Sequence, residues 1–167
     1  MVMLADYPLA PPPSATQIVR DATRLCVASG PGTIARRAAR AGWIIEQPAR
    51  GLVVAAHALD RDEHVAGGEV VQPAERLETC SVFTKAPVGG VDAAVARLLN
   101  VAPLFRYAGS STYRTWRNGD AWRATPTDPA AFAQVRAAGE IYTLIVTENA
   151  NGSGVVVINP RPAAILP

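Results

Sequence analysis

Lysine is nearly absent from this chain of 167 residues: Lys85 stands alone and every other basic side chain, apart from two histidines, is an arginine. With a formal net charge of only +2, long-range attraction to nucleic acid or an anionic membrane is not built into the composition, so any argument from basic residues must be local. The abundance of arginine and alanine reads first as a GC-rich coding bias and second as selection for bidentate guanidinium contacts. Long apolar runs are missing too. None approaches the roughly eighteen residues of a helical membrane span, and the start, Met1 to Pro8, lacks the charged-then-apolar layout of an export signal. The stretch Ala5 to Ala15, with Pro11, Pro12 and Pro13, instead resembles the tail of a mature protein whose signal has been removed, and residues 1–13 are expected to be a flexible proline-rich tail.

Cysteine is scarce. Cys26 and Cys80 are the only two, too few for a zinc cluster of their own. They permit one disulfide, whose loop of roughly 55 residues would stabilise by up to about 4 kcal/mol, or two buried free thiols, since unpaired cysteine is among the most buried residue types. The pattern leans to the bridge because the elements carrying them face one core.

What is present points to helices on an antiparallel sheet. Ser14-Ala15-Thr16-Gln17 has the spacing of a capping box, and Ile18, Val19, Ala22, Leu25, Cys26 and Ser29 follow one helical face up to Gly30. Thr33 caps a second, short helix through Ala41, stopped by Gly42 before a brief strand at Trp43-Ile44-Ile45. Leu52 to Leu59 and Leu77 to Thr84 read as strands, the second with Cys80, Val82 and Thr84 on one face; the polar Asp60 to His64 reads as a loop. Gly89-Gly90 ends that strand, and a helix follows from Asp92 to Leu99, terminated by Asn100 and Pro103. Asp128-Pro129 starts another, through Ala138. Residues 140–159 form a closing hairpin, and residues after Pro160 are expected to be irregular. The fold class is therefore α+β, an antiparallel sheet of hairpins with about four helices mainly covering one face, in a single domain over residues 14–160.

Four chemistries have residue types in the chain that would suit them. Gly30-Pro31-Gly32-Thr33-Ile34-Ala35 matches a dinucleotide fingerprint, with Glu46 as the ribose acid, but the helix before it and the lack of βαβ units favour a plain interhelical turn. His57 and His64 with Asp60, Asp62, Glu63 and Glu69 match no familiar metal spacing, so no metal site is expected. Gly152-Ser153-Gly154 reads as a turn with a serine cap, not a nucleophile elbow. Cys26 and Cys80, on apolar faces, are poor thiolates. No catalytic residue and no cofactor is expected.

The remaining signal is aromatic and basic: Phe105-Arg106-Tyr107, Tyr113 to Arg117, and Trp122-Arg123. Asn118-Gly119 is a strong two-residue hairpin turn, which pairs Arg117 with Asp120, Trp116 with Ala121, Thr115 with Trp122 and Arg114 with Arg123. Arg114, Trp116 and Arg123 then share a face that can stack on a flat group while the guanidinium groups hold an anion. The competing reading packs Trp116 or Trp122 in the core with arginines along its rim.

A helix bearing a cysteine, an alanine- and arginine-rich helix closed by Ala41-Gly42-Trp43, and a strand with Thr79-Cys80 together resemble uncharacterised small secreted bacterial proteins, over residues 14–84. The resemblance implies export and a Cys26–Cys80 bridge; it brings no activity. The functional expectation is a non-enzymatic binding module of the bacterial cell envelope, periplasmic or secreted, whose partner is a protein or a small anionic ligand; nucleic acid is disfavoured and no membrane span is expected. The alternatives are a small enzyme or a nucleotide- or anion-binding protein using the Gly30–Ala35 turn, and a cytoplasmic location.

Overall fold

A computed structural model of the chain describes residues 17, 19, 20, 26, 31–49, 52–56, 64–71, 75–118, 121–138 and 140–162. The elements are α1 (Pro31–Arg40), β1 (Ile44–Ala49), β2 (Leu52–Ala56), β3 (His64–Val71), β4 (Glu75–Thr84), α2 (Val88–Leu99), β5 (Phe105–Tyr107), β6 (Ser110–Asn118), β7 (Ala121–Ala124), α3 (Pro129–Ala137), β8 (Ile141–Asn149) and β9 (Gly152–Pro162). Among the described residues, nine strands form one sheet, eight of them along the path β1-β2-β3-β4-β9-β8-β6-β5 and the ninth, β7, beside it on β6. Every pairing is antiparallel. The class is α+β as expected, but three helices, not about four, have bounds among the described residues. Of the first expected helix only Gln17, Val19, Arg20 and Cys26 are described; all four are helical, with Val19 and Cys26 buried. The N-terminal tail, residues 1–13, and residues 163–167 lie outside the described residues.

Side-chain alternation sorts the sheet into two faces. Registers place Val53 and Ala55 of β2, Cys80 and Val82 of β4, Val155 and Val157 of β9, Tyr142, Leu144 and Val146 of β8, and Tyr113 of β6 on one face, and all of them are buried. Among the described residues α1 and α2 cover that face. Ile34 and Ala38 of α1, four apart, are buried where it packs on β1, β2 and β3; Val91, Ala94, Val95 and Leu99 of α2 do the same over β8 and β9. Each fully buried valine contributes about 1.5–3 kcal/mol of burial. The disulfide lies in this core: Cys26 and Cys80 are bonded with Cα atoms 5.3 Å apart, pinning the first helical segment to β4.

Local chemistry explains several boundaries. α1 begins at Pro31, two residues before Thr33, because proline suits the first helical position; Gly42 at φ +80° ends it, its N–H bonded to the Ala39 carbonyl. Gly89 and Gly90 do not end a strand but lie in the first turn of α2, which starts at Val88 behind Pro87 and stops at left-handed Asn100. Asp128 caps α3 by accepting a 2.9 Å bond from the Ala131 N–H. β3 was not expected, because Gly67-Gly68 lowers strand propensity; its pairing with β4 from His64 to Val71 outweighs that. β9 runs on to Pro162, two residues into the segment expected to be irregular, since Arg161 and Pro162 pair with Arg76 and Glu75. Its β8 ladder ends at Ile158, so Pro160 and Pro162 remove no donor from that side.

Candidate functional site

The two faces of β6 present different chemistry. Facing the core, Tyr113 and Thr115 are fully buried, and the Thr115 hydroxyl donates to the Arg123 carbonyl at 2.8 Å. Facing out, Arg114 is exposed and Trp116 half-buried. Arg114 lies with its guanidinium carbon 5.7 Å from the centroid of Phe132 on α3, a cation–π distance. Arg123, on β7, is exposed and sits opposite Trp116. Among the described residues neither arginine forms an ion pair. Trp122, by contrast, is on the core side, half-buried, edge-on to Tyr142 at 5.5 Å and under Arg117 at 5.1 Å.

The hairpin register differs from the one expected from Asn118-Gly119. Asn118 pairs with Ala121, Arg117 with Trp122, Trp116 with Arg123 and Thr115 with Ala124. The loop thus closes one residue later, leaving Gly119 and Asp120 between the strands, both outside the described residues. Moving the loop by one residue shifts each partner by two, and a shift of two keeps every side chain on its original face. Arg114, Trp116 and Arg123 therefore share a face in either register, but the opposition of Arg114 and Arg123 is replaced by a diagonal.

A second cluster, not anticipated, sits at the start of α2. Asp92 accepts hydrogen bonds from the hydroxyls of Ser111, at 3.1 Å, and Tyr113, at 2.5 Å, and lies 3.5 Å from Nη2 of Arg106. Burial first, and the bond to Asp92 second, push the Tyr113 phenol above its ordinary pKa of 10.0, with Arg106 opposing. The sequence signal was available: Asp92 falls on the Val88, Val95, Leu99 stripe, and an acid on an apolar helical stripe needs buried donors. Arg106 comes from β5, joined to β6 by Ala108 and Gly109, both at positive φ, 44° and 78°, as a two-residue hairpin loop requires. Between this hairpin and α2 lies an open cleft of about 310 Å³ lined by Val88, Gly89, Asp92, Arg106, Ser110 and Ser111 among others. Chemically the cluster is closed on itself: the Asp92 carboxylate has two hydrogen-bond donors and one ion-pair partner and positions Tyr113, while the Arg106 side chain is largely exposed.

The other sequence candidates fall elsewhere. Both cysteines are bonded, so there is no free thiol. Ser153 is not in a turn: it is a fully buried residue of β9 whose hydroxyl donates to the Ala86 carbonyl at 2.6 Å, and the turn is Ala150-Asn151. Residues 31–35 of the glycine motif form the start of α1, and Cys26 before it is helical, where a dinucleotide-binding fold needs a strand. His57, Asp60, Asp62 and Glu63 lie outside the described residues; His64 opens β3. Among the described residues no three His, Cys, Asp or Glu side chains group as metal ligands, and no helix is long and apolar enough to cross a membrane. No family model, curated protein or solved structure matches the chain.

Proposed function

We propose that this chain is a non-enzymatic binding module of the bacterial cell envelope that holds an anionic ligand on the outer face of β6 and β7. The observation that carries the reading is the grouping of exposed Arg114 and Arg123 around half-buried Trp116 with no carboxylate paired to either arginine among the described residues. Two separated guanidinium groups bracket a flat indole: the arginines supply charge-assisted donors and the ring a stacking surface. Phe132 holds Arg114 in place, which lowers the entropy lost on binding. The Cys26–Cys80 bond supports an oxidising compartment, where disulfides persist. The closed hydrogen bonding of Asp92, Ser111 and Tyr113 supports structure over catalysis for that cluster.

A thermal-shift panel of inorganic phosphate, citrate and trigalacturonate tests this on the intact chain. A specific anion at a hundredfold over its dissociation constant adds about 2.7 kcal/mol of stability. The shift should vanish in the Arg114→Ala/Arg123→Ala double variant; a panel without any shift, or one unchanged in the variant, contradicts the reading.

A further inference from the structure

Among the described residues β5 leaves a strand edge unpaired, away from the arginine face of β6. β5 ends the strand path and pairs only with β6 among the described residues, so alternate backbone N–H and C=O groups along it point away from the paired side. Leu104, Phe105 and Tyr107 are 56%, 58% and 79% exposed, the three most exposed large hydrophobics among the described residues. Apolar side chains grouped along an unpaired strand edge mark an interaction surface.

The register states what an added strand would meet. Phe105 is opposite Thr112 and Tyr107 opposite Ser110, on the outer face, while Arg106 is opposite Ser111, on the face that carries Asp92 and the cleft. A strand laid along β5 therefore places one side chain beside Arg106 at the cleft mouth and its two neighbours beside Phe105 and Tyr107. The Arg106 side chain is 63% exposed and meets Asp92 through one nitrogen only, at 3.5 Å, which leaves most of its five donors available. The position opposite Arg106 thus favours a carboxylate, and the flanking positions favour apolar residues. The cleft of about 310 Å³ has room for it, with open space beside Gly89. A second copy of this chain fits poorly, because antiparallel self-pairing centred on the three-residue strand sets Arg106 against Arg106, and like charges directly opposite repel.

We propose that β5 binds an extended segment of a partner protein by strand addition, with an acidic residue opposite Arg106 flanked by apolar residues. The probe is a fluorescein-labelled nine-residue peptide of alternating threonine and valine with a central glutamate, compared by fluorescence anisotropy with its glutamine- and lysine-centred versions. The glutamate peptide should bind the intact chain about fivefold or more tighter than the glutamine peptide, and N-methylation of its alternate amides should abolish binding. Arg106→Gln should level the two affinities, and Arg106→Glu should turn the preference to the lysine peptide; unchanged melting temperatures would show both variants folded. Equal affinities for all three peptides, a preference that survives Arg106→Gln, or no binding up to roughly 1 mM overturns the proposal. So does concentration-dependent dimerisation through this edge, which would assign it to a second copy.

Discussion

Along β6, inward and outward residues alternate one by one yet live under different constraints. Ser111, Tyr113 and Thr115 are buried, and each hydroxyl has a fixed acceptor in Asp92 or the Arg123 carbonyl. Arg114, one residue away, rests on an aromatic ring and is exposed, and Trp116 is half-buried. The inward face tolerates little, because an orphaned buried polar group costs about 1–3 kcal/mol. The outward face is under no such constraint, since surface substitutions away from such features stay within about 0.5 kcal/mol.

Breaking the inward side should give the largest effects. Replacing both cysteines, Cys26→Ser with Cys80→Ser, removes the one covalent tie between the first helical segment and β4 and should cost about 2–5 kcal/mol in denaturant melts. Gly152→Ala should follow at about 1–3 kcal/mol, because a Cβ there would meet the Thr84 carbonyl oxygen and the Lys85 backbone. Next comes Tyr113→Phe, which deprives Asp92 of one donor and should cost about 1–2 kcal/mol.

The same tyrosine gives the contrast a pH signature. Its folded pKa lies above the ordinary 10.0, so the folded chain holds a proton that the unfolded chain releases. The contribution is fully present below pH 10 and lost as pH rises from there through the raised folded value. Chemical melts should show wild-type stability falling above pH 10 more steeply than that of Tyr113→Phe; parallel slopes would remove Tyr113 from the account. A smaller effect of opposite sign is expected at Asn159, 3% exposed with neither amide atom hydrogen-bonded. Asn159→Val should stabilise by about 1 kcal/mol, read as a higher denaturation midpoint.

The sequence exposed the two faces more clearly than the connections between strands. Alternation at Cys80, Val82 and Thr84, the stops at Gly42 and Asn100, and the cap at Asp128 were legible because each is a local event with a local cause. β3 was hidden, since Gly67-Gly68 is held in a strand by pairing with β2 and β4, which no local pattern announces. β5 was hidden as well: three residues carry no measurable period, and the Ala108-Gly109 loop lacks the usual asparagine. The arginine face was legible despite a misplaced loop because a two-residue shift cannot turn a side chain over. The ties of Asp92 to Ser111 and Tyr113, nineteen and twenty-one residues away, depend on how α2 crosses the sheet.

The smallest expected change in stability accompanies the largest expected change in binding. Equilibrium titration of the intact chain with the anion that most raises its melting temperature, beside Arg114→Ala/Arg123→Ala and Arg106→Gln, tests the outer-face assignment most directly. The double variant should weaken binding about tenfold or more, the equivalent of about 1.4 kcal/mol, with its ligand-free melting temperature nearly unchanged and with Arg106→Gln binding like wild type. Equal affinity in the double variant, or loss of binding in Arg106→Gln alone, would contradict it.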